Sequence, residues 1–260
     1  MSIKSKLLVA ATTLSLLGGV GVAGALTAGS ASAATPSCGP TCINLYNQQF
    51  GKAFYQDVFR QSIKLNQPVI LFRSSDSDPA LDFTSNLLAD VSTPSCLFGT
   101  TSTGACVGGI TLPFTPLTVA QLCKLGGGLG AGTCARYASD WVWETQYSPY
   151  GVNSGLCVGV ATATSGAPVS LQPCGVSAKT WWISDNAHRY FHKGHWYTPW
   201  VNAASTNFTQ PLVLTYPTNG YPTDKPRPQL TATTQTTFSS GAPAQNQMWG
   251  LCVGEVGISC

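Results

Sequence analysis

The sequence predicts an all-β chain assembled from three related units, on three observations. First, three segments share one pattern: Asn66-Gln67-Pro68-Val69-Ile70-Leu71-Phe72, Gly166-Ala167-Pro168-Val169-Ser170-Leu171-Gln172 and Thr209-Gln210-Pro211-Leu212-Val213-Leu214-Thr215. Each is a turn ending in Pro followed by a short apolar strand of β-branched residues and leucine. Second, little of the chain carries a helical period. The candidate strands, such as Cys42 to Tyr46, Trp141 to Trp143 and Leu156 to Val160, are short and bounded by Gly, Pro, Ser or Asn. Third, the 260 residues are 43% hydrophobic and only 9% charged, with 10 Cys, which excludes a disordered polyelectrolyte and points to folding in an oxidising compartment.

Taken in order, residues 1–33 read as a signal peptide. Lys4 and Lys6 start it, an apolar stretch from Leu7 to Thr27 follows, and Ala31-Ser32-Ala33 is a small-residue cleavage site. The mature chain, 34–260, then has 11 basic and 10 acidic residues, a net charge of +1. That balance predicts neither a nucleic-acid partner nor an anionic membrane surface. No later stretch is apolar for long enough to span a bilayer. All the cysteines, Cys38, Cys42, Cys96, Cys106, Cys123, Cys134, Cys157, Cys174, Cys252 and Cys260, lie in the mature part. In an exported chain their even number reads as up to five disulfides. Close spacing singles out Cys96 with Cys106, Cys123 with Cys134, Cys157 with Cys174 and Cys252 with Cys260 as the cheapest loops to close, although spacing alone does not fix connectivity.

The repeats are expected at about 41–83, 141–185 and 186–250 in one domain. Each ends in a large aromatic, Phe83, Trp182 or Trp249, and the third carries a Pro-rich loop from Pro217 to Pro228. Residues 84–140, with four cysteines, read as a disulfide-tied insertion between repeats one and two, with a short helix near Leu117 to Leu125.

The second repeat carries a resemblance. Leu156-Cys157-Val158-Gly159-Val160, then Gly166 to Cys174, then Thr180-Trp181-Trp182 resembles one subdomain of the ricin-type β-trefoil lectins, whose pattern runs L-C-x-D-V, G-x-x-V-x-L-W-x-C, Q-x-W. The third repeat keeps the last element as Gln247-Met248-Trp249, and the Cys157 to Cys174 interval matches that family's bridge. The resemblance implies a β-trefoil in which Phe83, Trp182 and Trp249 plug a shared barrel core. It further implies shallow saccharide pockets, each with a carboxylate, an aromatic face and an amide. In repeat one these fall on Asp57 and Phe72, with Asp78 or Asp82 replacing the amide. In repeat two they fall on Gly159, Gln172, Lys179 and Thr180, which leaves nothing to hold a sugar. In repeat three the resemblance places Asn202 near the carboxylate position, Asn246 and Gln247 at the amides, and Thr215 with Tyr216 at the aromatic.

Other constellations carry less. His188, His192 and His195 sit among aromatics where Gly194 favours a strand hairpin over the helix that a metal pair would use. Asp76, Asp78 and Asp82 lack the glycine and distal Glu of a calcium loop. Only Glu144 and Glu255 are glutamates, no paired acids or G-x-S-x-G elbow stands out, and no cofactor is expected. The expectation is a secreted, monomeric, non-catalytic protein that binds an extracellular glycan, without a metal. The alternatives are a secreted structural or interaction protein that lost its sugar pockets, and a hydrolase.

Overall fold

A computed structural model describes residues 42–73, 83–90, 95–96, 101–106, 111–112, 114–175, 177–217, 220–223, 227–237 and 241–253. The first lobe contributes β1 (Ile43–Asn47), β2 (Phe54–Val58), β3 (Val69–Arg73) and β4 (Phe83–Ser85). Four short strands follow, β5 (Leu88–Asp90), β6 (Ser95–Cys96), β7 (Thr111–Leu112) and β8 (Thr115–Pro116), then α1 (Val119–Lys124) and α2 (Ala131–Arg136). The second lobe has β9 (Val142–Trp143), β10 (Thr145–Tyr147), β11 (Leu156–Val160), β12 (Ala167–Pro173) and β13 (Trp182–Ser184). The hairpin β14 (Tyr190–His192) and β15 (His195–Tyr197) leads to the third lobe, β16 (Trp200–Asn202), β17 (Leu212–Thr215), β18 (Thr231–Thr234) and β19 (Trp249–Val253).

The strand pairings define a β-trefoil. The first and last strands of each lobe meet those of the next: β4 pairs with β10, β13 with β16, and β19 returns to β1, all antiparallel. Within lobes the ring is completed by the Cys42–Thr84 bridge, by β9 with β13 and by the Thr198–Trp249 bridge. Among the described residues this closes the ring of barrel strands. The remaining strands form three hairpins, β2–β3, β11–β12 and β17–β18. Each hairpin touches both others, through Pro68–Ser170, Ile70–Gln229 and the β12–β18 ladder.

Alternation decides what each hairpin buries. Phe54, Val58, Val69 and Leu71 from lobe one, Val158, Val160, Val169 and Leu171 from lobe two, and Leu212, Leu214, Leu230 and Ala232 from lobe three enter one core with Phe83, Trp182 and Trp249. The plugs repeat in their hydrogen bonds as well. Trp182 Nε1 donates to Val158 O and Trp249 Nε1 to Leu214 O, both at 2.8 Å. Phe83 is fully buried at the third equivalent place and carries no such donor.

The pairing register corrects the expectation for the third repeat. Thr209 to Thr215 does not match Asn66 to Phe72. Leu212–Thr215 is the first arm of its hairpin, with Leu214 opposite Ala232 as Val158 is opposite Leu171. Both arms of a hairpin alternate with the same period, so pattern alone does not tell them apart. The stretch from Pro217 to Pro228 is therefore the connection between the two arms.

Disulfides join Cys96 to Cys106, Cys123 to Cys134 and Cys157 to Cys174, and Cys42 and Cys252 are also disulfide-bonded. Cys38 and Cys260 lie outside the described residues. Helix α1 forms where a helix was expected. Its start is fixed by a capping box, in which Gln121 N donates to Thr118 Oγ1 while Thr118 N donates to Gln121 Oε1. The second helix, α2, has no sequence cap and is tied to α1 by the Cys123–Cys134 bridge.

Candidate functional site

In lobe one, Asp57 lies opposite Ile70 and Tyr55 opposite Phe72 in the β2–β3 register. The alternation that sends Phe54, Val58, Val69 and Leu71 inward therefore puts Asp57 and Phe72 together on the outer face as diagonal neighbours. That face is covered. Asp57 is only 3% exposed, and Tyr55 joins a small second core with Tyr46, Tyr197 and Met248. Burial is the main cause that pushes the Tyr46 phenol far above its ordinary range, with Tyr197 and Tyr55 adding to it. The Arg227 guanidinium, from the β17–β18 connection, stacks 4.0 Å from the Phe72 ring centroid. Asp78 and Asp82 lie outside the described residues.

Lobe two has Gly159 and Gln172 at the two corresponding places, in agreement with the sequence. Lobe three departs from it. By register the carboxylate place is Thr215, and the aromatic place is Thr233, opposite Val213 as Gln172 is opposite Cys157. Asn202 is fully buried on β16, where Nδ2 donates to Lys179 O at 2.9 Å and Oδ1 accepts from Ala204 N. Tyr216 occupies the core position of Val160 and Val58, fully buried, with its hydroxyl on Gly220 O. Gln247 is an internal staple. Its Oε1 accepts from Thr236 N at 2.7 Å, and its Nε2 donates to Thr233 Oγ1 and Thr234 O, both at 3.0 Å. Asn246 Nδ2 donates to Tyr216 O. The amides expected to reach a ligand thus hold the third lobe together.

The sequence also passed over Glu144, between β9 and β10, which is fully buried. Its Oε1 accepts from Thr180 Oγ1 at 2.5 Å, Gly175 N at 2.7 Å and Trp181 Nε1 at 3.1 Å, and its Oε2 from Asn86 Nδ2 at 2.6 Å. Four donors converge on this buried carboxylate, and among the described residues no Lys, Arg or His forms an ion pair with it. The rarity of glutamate was its only sequence signal.

His192 faces His195 across the β14–β15 hairpin, while His188 sits in a turn and meets Asp185. Among the described residues no three His, Cys, Asp or Glu side chains converge to hold a metal. Strand β14 of this hairpin leaves Phe191 53% and Tyr190 39% exposed.

No protein-family model and no curated protein matches the chain. Two solved structures resemble it in shape. A designed 3-fold symmetric protein, ThreeFoil, shares 12% identity at a TM-score of 0.42, over 80% of this chain and 96% of that one. A mosquitocidal holotoxin shares 7% identity at a TM-score of 0.43, over 82% of this chain, which spans only 17% of the toxin. The trefoil architecture rests on the strand pairings described above.

Proposed function

We propose that this is a secreted, monomeric, non-catalytic protein that recognises an extracellular saccharide through its first lobe. One observation carries the reading: only β2–β3 keeps both a carboxylate and an aromatic, Asp57 and Phe72, on the outer face of its hairpin. The corresponding pairs are Gly159 with Gln172 and Thr215 with Thr233. A saccharide that reaches Phe72 displaces the Arg227 guanidinium from its ring. Secretion is supported by the apolar leader ending in Ala31-Ser32-Ala33 and by the disulfides. No described helix is long and apolar enough to cross a membrane.

A glycan array probed with the 34–260 chain tests the proposal. The expected result is retention of at least one saccharide class, weakened about tenfold or more in Asp57→Asn, about 1.4 kcal/mol. A second reading, an interaction protein that has closed its sugar pockets, is favoured by the 3% exposure of Asp57. An array without hits would support it and overturn the first.

A further inference from the structure

A groove of about 730 Å³, lined by no residue of the Asp57 hairpin, opens between the end of α2, the turn after β13, the turn that precedes β17 and the segment after β18. Four separate stretches of chain build it, and each is pinned. Asp185, 1% exposed, accepts from Ala187 N at 3.1 Å with Oδ1, and its Oδ2 is hydrogen-bonded to His188 Nδ1 at 2.6 Å. That bond orients the imidazole and leaves Nε2 as the ring's other polar atom. Asn207 Oδ1 accepts from Thr209 N at 3.1 Å and Gln210 N at 3.2 Å, an Asx turn that presents Phe208. The ring of Phe208 sits against Gly132, where a Cβ would lie 2.4 Å from Phe208 Cε2, and its centroid is 6.5 Å from that of Tyr137. Gln235 N donates to Pro211 O at 2.8 Å, which ties the β18 side to the turn.

The polar groups that line the groove are of mixed kind: the Arg136 guanidinium, the His188 imidazole, the Gln210 and Gln235 carboxamides and threonine hydroxyls. Acidic and basic groups meet here: Asp185 is hydrogen-bonded to His188, and Asp140 lies within electrostatic reach of Arg136. Burial, and then the nearby Asp185 charge, push the Tyr137 phenol up to about 12, so it remains protonated and able to donate. A groove that mixes acidic and basic groups favours neither an anion nor a cation. Carboxamides and hydroxyls both donate and accept, as vicinal hydroxyls do, and Phe208 offers an apolar wall for a ring. The volume falls within the range of about 300–1,000 Å³ usual for small-ligand sites.

We infer that this groove is a second binding site, for a neutral saccharide, formed by His188, Gln235, Arg136 and Phe208. It shares the ligand class of the first-lobe reading and none of its residues, so either site can fail alone.

Saturation-transfer NMR on the 34–260 chain with glucose, galactose, N-acetylglucosamine and glucuronate tests the assignment. The expected result is transfer to at least one neutral sugar, reduced fivefold or more in Gln235→Ala and His188→Ala, and largely kept in His188→Gln. Thermal midpoints of the variants confirm that each is folded. Equal transfer in wild type and the groove variants, loss in Asp57→Asn alone, preference for glucuronate, or no transfer at all would each overturn the groove site. Loss in the groove variants with Asp57→Asn unaffected would uphold it even if the first-lobe reading fails.

Discussion

Gly159 lies against Thr180 so closely that a Cβ at position 159 would stand 2.8 Å from Thr180 Cγ2 and 2.9 Å from Lys179 O. Position 159 is where the ricin-type pattern calls for a carboxylate, and Thr180 stands where that pattern has Gln. The second lobe has no room for an acid at this position, since the space a side chain would need is filled by the turn before β13. Gly159→Asp should therefore fail to restore a sugar pocket. The overpacking cost is about 1–3 kcal/mol, read as a fall of several degrees in the thermal midpoint with no saccharide gained.

Glu144 holds that same turn. Exchanging its carboxylate for the amide in Glu144→Gln leaves one oxygen for four donors and turns an NH₂ toward the others. The expected loss is about 2–4 kcal/mol, measured by denaturant unfolding. A change below about 0.5 kcal/mol, the range of ordinary surface substitutions, would contradict the role assigned to it.

The plugs differ in what they do beyond filling space. Trp249→Phe keeps most of the ring but removes the donor to Leu214 O, at a cost of about 1–3 kcal/mol. Phe83→Tyr adds a hydroxyl to a fully buried site and is also expected to destabilise. If Trp249→Phe were neutral while Trp249→Ala unfolded the chain, packing alone would account for the repeated tryptophan.

Asp140 gives a pH signature. Burial, with a smaller contribution from Asp185, raises its carboxyl from 3.8 to about 6. As pH rises from about 4 to about 6 the unfolded chain gives up this proton while the folded chain retains it, so this group's contribution to stability falls across that window. Asp140→Asn abolishes this titration and keeps an acceptor for Asn186 N. The stability difference, variant minus wild type, should grow by about 1–2 kcal/mol between those limits. Urea midpoints taken across the window check this, and a difference that shrinks or stays flat contradicts it.

How much of this was legible in the sequence differs from one element to the next. The three-lobed core was, because Phe83, Trp182 and Trp249 each end a run of short alternating strands, and close spacing pointed to the three disulfides between Cys96 and Cys174. The register of lobe three was not, since β17 and β18 alternate alike and only their pairing tells which arm is which. Asn202 and Gln247 read as ligand groups because their type and order fit, yet both are used up by backbone and threonine partners. The Glu144 network and the Asp185–His188 groove join residues that no local pattern connects.

The central claim is that a saccharide engages the outer face of β2–β3. A crystal structure of the 34–260 chain with the saccharide it retains best tests that claim most directly. The account predicts a sugar ring over Phe72, hydroxyls on the Asp57 carboxylate, and Arg227 moved off the aromatic face. A structure with Arg227 still stacked on Phe72 and no sugar at that hairpin would contradict it.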